Sequence, residues 1–256
     1  MTARKKRQSS VIDIRTANKQ MDIPSLATPK SKLRPEHLVK YNPLNEIQGL
    51  MYSLFNTEQH IVADGCPGTG KTFIALYLAL QEVVVKRKQT KIVIVRSIVP
   101  TRDIGFLPGS IEEKIAVYEQ PYKDIMKQMI VPSIPDAYGK CREQGILEFM
   151  PTSFIRGTTI DDAIIIVDEC QNLTFEEAST VLTRVGQNSR LVLSGDFYQS
   201  DLQSKREAER SGYQEIKNIL KNMKAVSFVE FTDEEIVRSG FVKEFIKAKI
   251  KLGYQK

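Results

Sequence analysis

Nowhere does this 256-residue chain carry an apolar run approaching the ~20 residues needed to cross a bilayer. That excludes a membrane-spanning helix. The start of the chain carries Arg4-Lys5-Lys6-Arg7 but lacks the apolar stretch of a secretion signal. Cysteine is scarce: Cys66, Cys141 and Cys170 are odd in number, far apart and form no C-x-x-C pair. The pattern argues against a disulfide or zinc framework and for a reducing compartment, the cytoplasm. No internal repeat is present. What is present is 41% hydrophobic residues, enough for a substantial core, in a length that suits one large α/β domain or two small ones. The formal charge of +6 favours a polyanionic partner over an acidic one.

The run Gly65-Cys66-Pro67-Gly68-Thr69-Gly70-Lys71-Thr72 fits G-x-x-x-x-G-K-[ST]. It follows a short apolar run, Ile61-Val62-Ala63, and opens a helical one, Phe73-Ile74-Ala75-Leu76-Tyr77-Leu78-Ala79-Leu80. That strand–loop–helix context is what makes the motif a P-loop. Its glycines let the backbone turn successive N–H groups toward phosphate oxygens, and the positive end of the following helix adds to that field. Lys71 can reach the β- and γ-phosphates, and the Thr72 hydroxyl can ligate Mg²⁺. The implied cofactors are ATP and Mg²⁺.

Residues 1–40 read as a basic arm, because charges and Pro24, Pro29 and Pro35 break any periodicity. From about Tyr41 to the end the chain is regular. Asn45, Ile47, Gln48, Leu50, Met51 and Leu54 fit a helix with one apolar face. Strands are expected at Ile61-Val62-Ala63, at 91–96, 146–149, 163–167, 190–194 and 226–231. Three capping boxes, at Ser110-Ile111-Glu112-Glu113, Thr174-Phe175-Glu176-Glu177 and Thr232-Asp233-Glu234-Glu235, announce helices. The last should begin the C-terminal helices, where Phe241, Val242, Phe245, Ile246 and Ile250 make an apolar stripe. Residues 130–160 are broken by Pro132, Pro135 and Gly139 and show little pattern. Strands alternating with helices predict an α/β domain, a mostly parallel sheet with helices on both faces. Ligands of such sheets collect beyond the C-terminal ends of the strands.

The polar clusters follow strands. Asp168 and Glu169 end the strongest one. Asp168 would hold Mg²⁺ through water, and Glu169 would activate the attacking water. After the next strand, Gln199 can donate to a γ-phosphate while accepting from that water, and Asp196 can anchor the loop or the Lys71 ammonium. Gln48 offers an amide that can read adenine at N6 and N7. Charge on the transferred phosphate calls for an arginine. Arg184 and Arg238 are the candidates, and the residues do not choose between them.

With these residues assembled, the chain resembles the PhoH family of P-loop ATPases, which is related to superfamily 1 helicases. The likeness rests on Asn45-x-x-Gln48, the P-loop, Arg96, Gly105-Phe106-Leu107-Pro108-Gly109, Lys114, and Arg156-Gly157 with Thr158 or Thr159. It continues through Asp168-Glu169-Cys170-Gln171-Asn172, Leu182-Thr183-Arg184-Val185-Gly186, Ser194-Gly195-Asp196 with Gln199 and Asp201, and Val237-Arg238-Ser239. The resemblance implies a single RecA-like domain over 41–256 and an ATPase acting on, or stimulated by, RNA. It also implies an oligomeric ring, a hexamer favoured, and makes Gln171 a γ-phosphate or coupling residue. Where the family usually has Pro after Arg96, this chain has Ser97. Some members carry a fused nuclease or RNA-binding domain, for which this chain has no room. A compact form of this kind suits a bacterial cytoplasm, or a phage protein working there.

The leading functional expectation is a Mg²⁺-dependent ATPase coupled to RNA or single-stranded DNA. Nucleic acid would cross residues 96–102 and the front of an inserted region, 105–160, with Lys114 on phosphate. Unwinding by superfamily 1 enzymes uses two RecA-like lobes. A chain that supplies one needs a neighbour to complete each site. An ATP-gated interaction module with slow hydrolysis is the alternative. A nucleotide kinase fits less well, because Asp168-Glu169 with Gln199 suits attack by water and no arginine-rich lid is present.

Overall fold

A computed structural model describes residues 33–98, 111–196 and 212–253. Among them, β1 (His60–Gly65), β2 (Lys91–Arg96), β3 (Leu147–Pro151), β4 (Ala163–Val167), β5 (Arg190–Gly195) and β6 (Val226–Phe231) form one sheet. The spatial order is β3-β2-β4-β5-β1-β6 and every pairing is parallel. All described strands therefore deliver their C-terminal ends to one edge. The chain carries the expected β-branched runs there because a parallel sheet is buried on both faces.

Alternation within the strands sorts side chains into two layers. Ile164 and Ile166 of β4, with Ile61 and Ala63 of β1, pack beneath α1 (Glu46–Asn56), α2 (Lys71–Leu80), α3 (Ile111–Met129) and α4 (Ala137–Glu143). Ala163, Ile165 and Val167, with Val62, face α5 (Phe175–Leu182) and α6 (Tyr213–Leu220) on the other side. Each fully buried isoleucine contributes about 1.5–3 kcal/mol, so the central strands anchor both layers. Asn45 caps α1 by accepting from the Gln48 backbone N–H at 2.8 Å. Thr174 and Glu177 form the expected capping box of α5.

Several expectations change. Residues 33–40 belong to the packed body, not to an arm: Leu33 and Leu38 are buried. Their backbone is tied to the end of α3, Val39 N–H donating to Met129 O at 2.8 Å and Val131 N–H to His37 O at 2.9 Å. The basic cluster at residues 4–7 lies outside the described residues. The unpatterned 130–160 region contains α4, capped by Asp136, and α6 appears where no helix was expected. The Thr232 box caps a single 3₁₀ turn, Asp233–Glu235, and α7 (Gly240–Lys251) starts later. Its apolar stripe is not buried in the described chain: Phe241 is 80% and Phe245 63% exposed. Among the described residues no helix is long and apolar enough to cross a membrane.

Candidate nucleotide-binding cleft

The P-loop leaves β1 at Gly65, whose φ of +125° is open to glycine; a Cβ there would overlap the Phe231 carbonyl oxygen. The close approach lets Cys66 N–H donate to that same oxygen at 2.9 Å. Gly68, at φ +75°, lies against Arg238, and its carbonyl accepts from Val237 N–H at 3.0 Å. Inside the loop, Thr69 Oγ1 donates to Cys66 O at 3.0 Å. Lys71 Nζ curls back to donate to Gly65 O and Cys66 O, both at 2.7 Å. Burial pulls the Lys71 pKa below its ordinary value, although Asp196, Glu169 and Asp64 pull the other way. The ammonium thus sits among backbone carbonyls that a phosphate can replace. Asp196 acts on it through its field; the hydrogen bonds go to the loop.

Gln48 braces the same loop. Its Nε2 donates to Thr69 O at 3.0 Å and its Oε1 accepts from Leu44 N–H at 2.8 Å. An amide has two N–H groups and two lone pairs, so these bonds leave one of each for a ligand. The loop, Gln48, Tyr41, Tyr52, Phe73 and Ile125 surround a cleft of about 680 Å³, which also takes in Arg96, Asp168, Glu169, Asp196 and Arg238. One end is charged and the other aromatic, and the volume lies within the range for small-molecule sites. Tyr41 meets Phe73 edge to face at 5.0 Å.

The acidic wall stands at the end of β4. Asp168 is buried, and its two oxygens have different partners: Thr72 Oγ1 donates to Oδ1 and the Tyr122 hydroxyl to Oδ2, each at 2.7 Å. Glu169 turns into the left-handed region at φ 51°, which carries its side chain out of the pleat and into the cleft. Burial, reinforced by Asp168, raises its pKa, while the Gln171 amide, Arg96 and Lys71 oppose. Gln171 straps two strand ends together, donating to Glu169 Oε2 at 2.5 Å and accepting from Asp196 N–H at 3.0 Å. Arg96 is half-buried. Burial disfavours its charge, but Tyr122, Asp168 and Glu169 outweigh it and raise its pKa. Ser97, the departure from the family pattern, donates to Glu177 Oε1 at 3.2 Å beside Thr152 at 2.8 Å.

The donor set suits Mg²⁺. Thr72 Oγ1 and Asp168 Oδ1 are hard oxygen donors 2.7 Å apart at the foot of the P-loop, the donor type that Mg²⁺ takes directly or through water. Among the described residues no group of three or more His, Cys, Asp or Glu could hold a metal, so the ion would depend on nucleotide phosphate and water as well as on these residues.

The cleft thus brings together Gln48, the P-loop with Lys71 and Thr72, Asp168, Glu169 and Arg238. It does not include Arg184. That residue lies at the opposite end of the sheet, where its carbonyl accepts from Ile160 N–H at 2.8 Å, just before β4 begins. The reason is α5, which carries the chain from the C-terminal edge back to the N-terminal one. Arg156 and Gly157 lie on an exposed turn outside the cleft. Gln199, Asp201 and the 105–109 loop are outside the described residues, as is the side chain of Lys114. Sequence reasoning missed Tyr122 and the aromatic end formed by Tyr41, Tyr52 and Phe73. Tyr122 gives no local signal, because its partner is 46 residues away.

A glycine loop between β1 and α2, facing an acidic strand end across one crevice of a parallel sheet, defines a P-loop nucleotide-binding domain of RecA-like architecture. More narrowly, the chain belongs to the PhoH-like protein family, whose model matches residues 40–249. It is 34% identical over 186 residues to a PhoH-like protein of Synechocystis sp., covering 72% of this chain and 54% of the relative. Against Protein PhoH of Escherichia coli it is 32% identical over 205 residues, covering 80% and 56%. The chain spans about half the length of the curated relatives it matches. Among solved structures, the large terminase of a thermophilic bacteriophage in complex with ADP superposes with a TM-score of 0.50 at 13% identity, covering 80% of this chain and 50% of the terminase. That likeness is one of fold.

Proposed function

We propose that this chain is a Mg²⁺-dependent ATP hydrolase whose turnover is coupled to RNA or single-stranded DNA, working in the cytoplasm as a ring of identical copies. The observation that carries the reading is the Thr72–Asp168 hydrogen bond of 2.7 Å, which joins the phosphate-gripping loop to the acidic strand end beside Glu169. Lys71 exchanges its carbonyl partners for β- and γ-phosphate oxygens, and the loop N–H groups complete the grip. Thr72 and Asp168 would hold Mg²⁺, which when bound neutralises phosphate charge. Glu169 takes the proton of the attacking water at a carboxylate oxygen, with Gln171 holding the other end of the hydrogen-bond chain. Gln199 senses the γ-phosphate. Arg238 meets the developing charge from its own chain, and Arg184, remote from this cleft, would serve a neighbouring copy. The aromatic end takes the base, with Gln48 reading its edge. Lys114 and Arg96 mark the nucleic-acid side, consistent with the net charge of +6.

Phosphate release from ATP, with and without single-stranded RNA, tests this directly. Glu169→Gln should retain ATP and lose turnover by roughly 10²–10⁴-fold, the range for a general base. Normal turnover in that variant would refute the assigned base. The exposed Phe241 and Phe245 on α7 favour a second reading, an ATP-gated interaction module. Slow hydrolysis indifferent to RNA would select it.

A further inference from the structure

Arg96 borders the proposed nucleic-acid side, but its side chain turns into the nucleotide cleft. Val95 of β2 pairs with Val167 of β4, and Asp168 N–H donates to Val95 O at 2.9 Å. Ile94 and Ile166 share the layer beneath α2 and α3. Alternation along the two strands therefore puts Arg96 and Asp168 side by side on that same face. Ser97, the next residue, reaches the other way, its hydroxyl donating to Glu177 Oε1 at 3.2 Å. That bond fixes the strand end, and with it the direction in which Arg96 leaves the chain.

The guanidinium is half-buried and rests on the Tyr118 ring, 5.8 Å from its centre. Such a contact uses one face of the group and none of its five N–H donors. Asp168 and Glu169 help to keep it charged through their field, yet both are engaged elsewhere. Asp168 accepts from Thr72 and Tyr122, and Glu169 from Gln171. Among the described residues no carboxylate forms an ion pair with Arg96. A half-buried charge without a counter-ion is costly, and the planar fork of a guanidinium matches two oxygens of a phosphate. Position selects which phosphate. Lys71 follows β1 and Arg96 ends β2, with β5 and β4 between them. The P-loop grips the nucleotide from the β1 side, and the wall opposite carries Glu169, where water attacks the terminal phosphate. That phosphate is the one Arg96 faces.

We propose that the Arg96 guanidinium binds the terminal phosphate of ATP from the acidic wall, opposite Lys71, and so favours ATP over ADP. The inference rests on the reading that the cleft holds a nucleotide with its terminal phosphate beside Glu169. Its test is displacement of a fluorescent ADP analogue from the full chain, in Mg²⁺, by ADP and by a non-hydrolysable ATP analogue, which needs no turnover. R96M keeps an apolar stem on Tyr118 and removes the donors. It should weaken the ATP analogue about 10–100-fold, the range for lost hydrogen bonds to a charged group. ADP should move by less than about twofold, so the ratio of the two affinities falls. K123M removes another cation resting on a tyrosine ring, 5.7 Å from the centre of Tyr138, and should leave that ratio alone. A merely structural loss would lower the melting temperature and weaken both nucleotides together. If R96M melts below the assay temperature, R96K keeps a cation over the ring but loses the fork, and should still lower the ratio. An unchanged ratio, equal losses for the two nucleotides, or weaker binding of single-stranded RNA with the ratio intact would each overturn the proposal. A wild type that does not bind the ADP analogue at all would instead sink the parent reading of the cleft.

Discussion

The two walls of the cleft are built by different means. The P-loop wall is held at its main chain: Cys66 N–H on Phe231 O, Val237 N–H on Gly68 O, and loop carbonyls that accept from the Lys71, Thr69 and Gln48 side chains. The acidic wall is held by side chains arriving from distant elements, Thr72 from α2, Tyr122 from α3 and Gln171 from the turn after β4. A backbone-built wall tolerates changes of side chain but not of chain conformation. A side-chain-built wall is the reverse: each group can be exchanged without disturbing the fold, and the electrostatics change with it.

Gly65→Ala breaks the first wall and should have the largest effect. The added Cβ overlaps the Phe231 carbonyl in a backbone conformation with φ +125°. Strain of this kind costs about 1–3 kcal/mol before the clash is counted, so the denaturation midpoint should fall and nucleotide binding should go with it. An unchanged midpoint would mean that the loop is not tied to β6. The second wall is better probed by pH than by a fold-breaking change. Glu169 must be ionised to accept a proton, and its pKa is raised by burial and by Asp168. Turnover should therefore fall as pH drops through that raised value, at a higher pH than an ordinary carboxylate would give. Phosphate-release rates across pH would show it, and an acid limb at the ordinary carboxylate position would contradict it. The smallest effect on nucleotide affinity is expected at Arg184, which belongs to neither wall of its own chain's cleft and would show its loss in the turnover of a neighbouring copy instead. Arg184→Ala should leave the nucleotide affinity of its own chain within about twofold, a change of a few tenths of a kcal/mol, because the residue is remote from the cleft. A large loss of affinity would place this arginine in the cleft after all.

The same division decides what could be read from the chain. The P-loop was legible because its demands are local: glycines for the turn, Lys71 and Thr72 in register with α2, and β-branched runs before and after. Asp168 and Glu169 were legible as the end of a strong strand, and the capping box at Thr174 gave the start of α5. Tyr122 was not legible, since nothing near Pro121 in sequence indicates that its neighbour reaches β4. Helices α4 and α6 were missed because each is short, at Ala137–Glu143 and Tyr213–Leu220, with too few turns to display a period. Residues 33–40 were misread because prolines and charges suggested an arm, while their burial depends on Leu33 and Leu38 alone. Arg184 and Arg238 could not be separated by sequence, as each follows a polar helix end; only the direction of α5 sends Arg184 to the far edge.

The carbonyl of Phe231 and the N–H of Val237, which bracket the Thr232 turn, both grip the P-loop, and α7 begins three residues later. That short span makes the C-terminal helix a lever with its fulcrum on the phosphate cradle. A ligand of Phe241 and Phe245 that displaced Val237 would change nucleotide affinity, and by linkage nucleotide would change that ligand's affinity by the same factor.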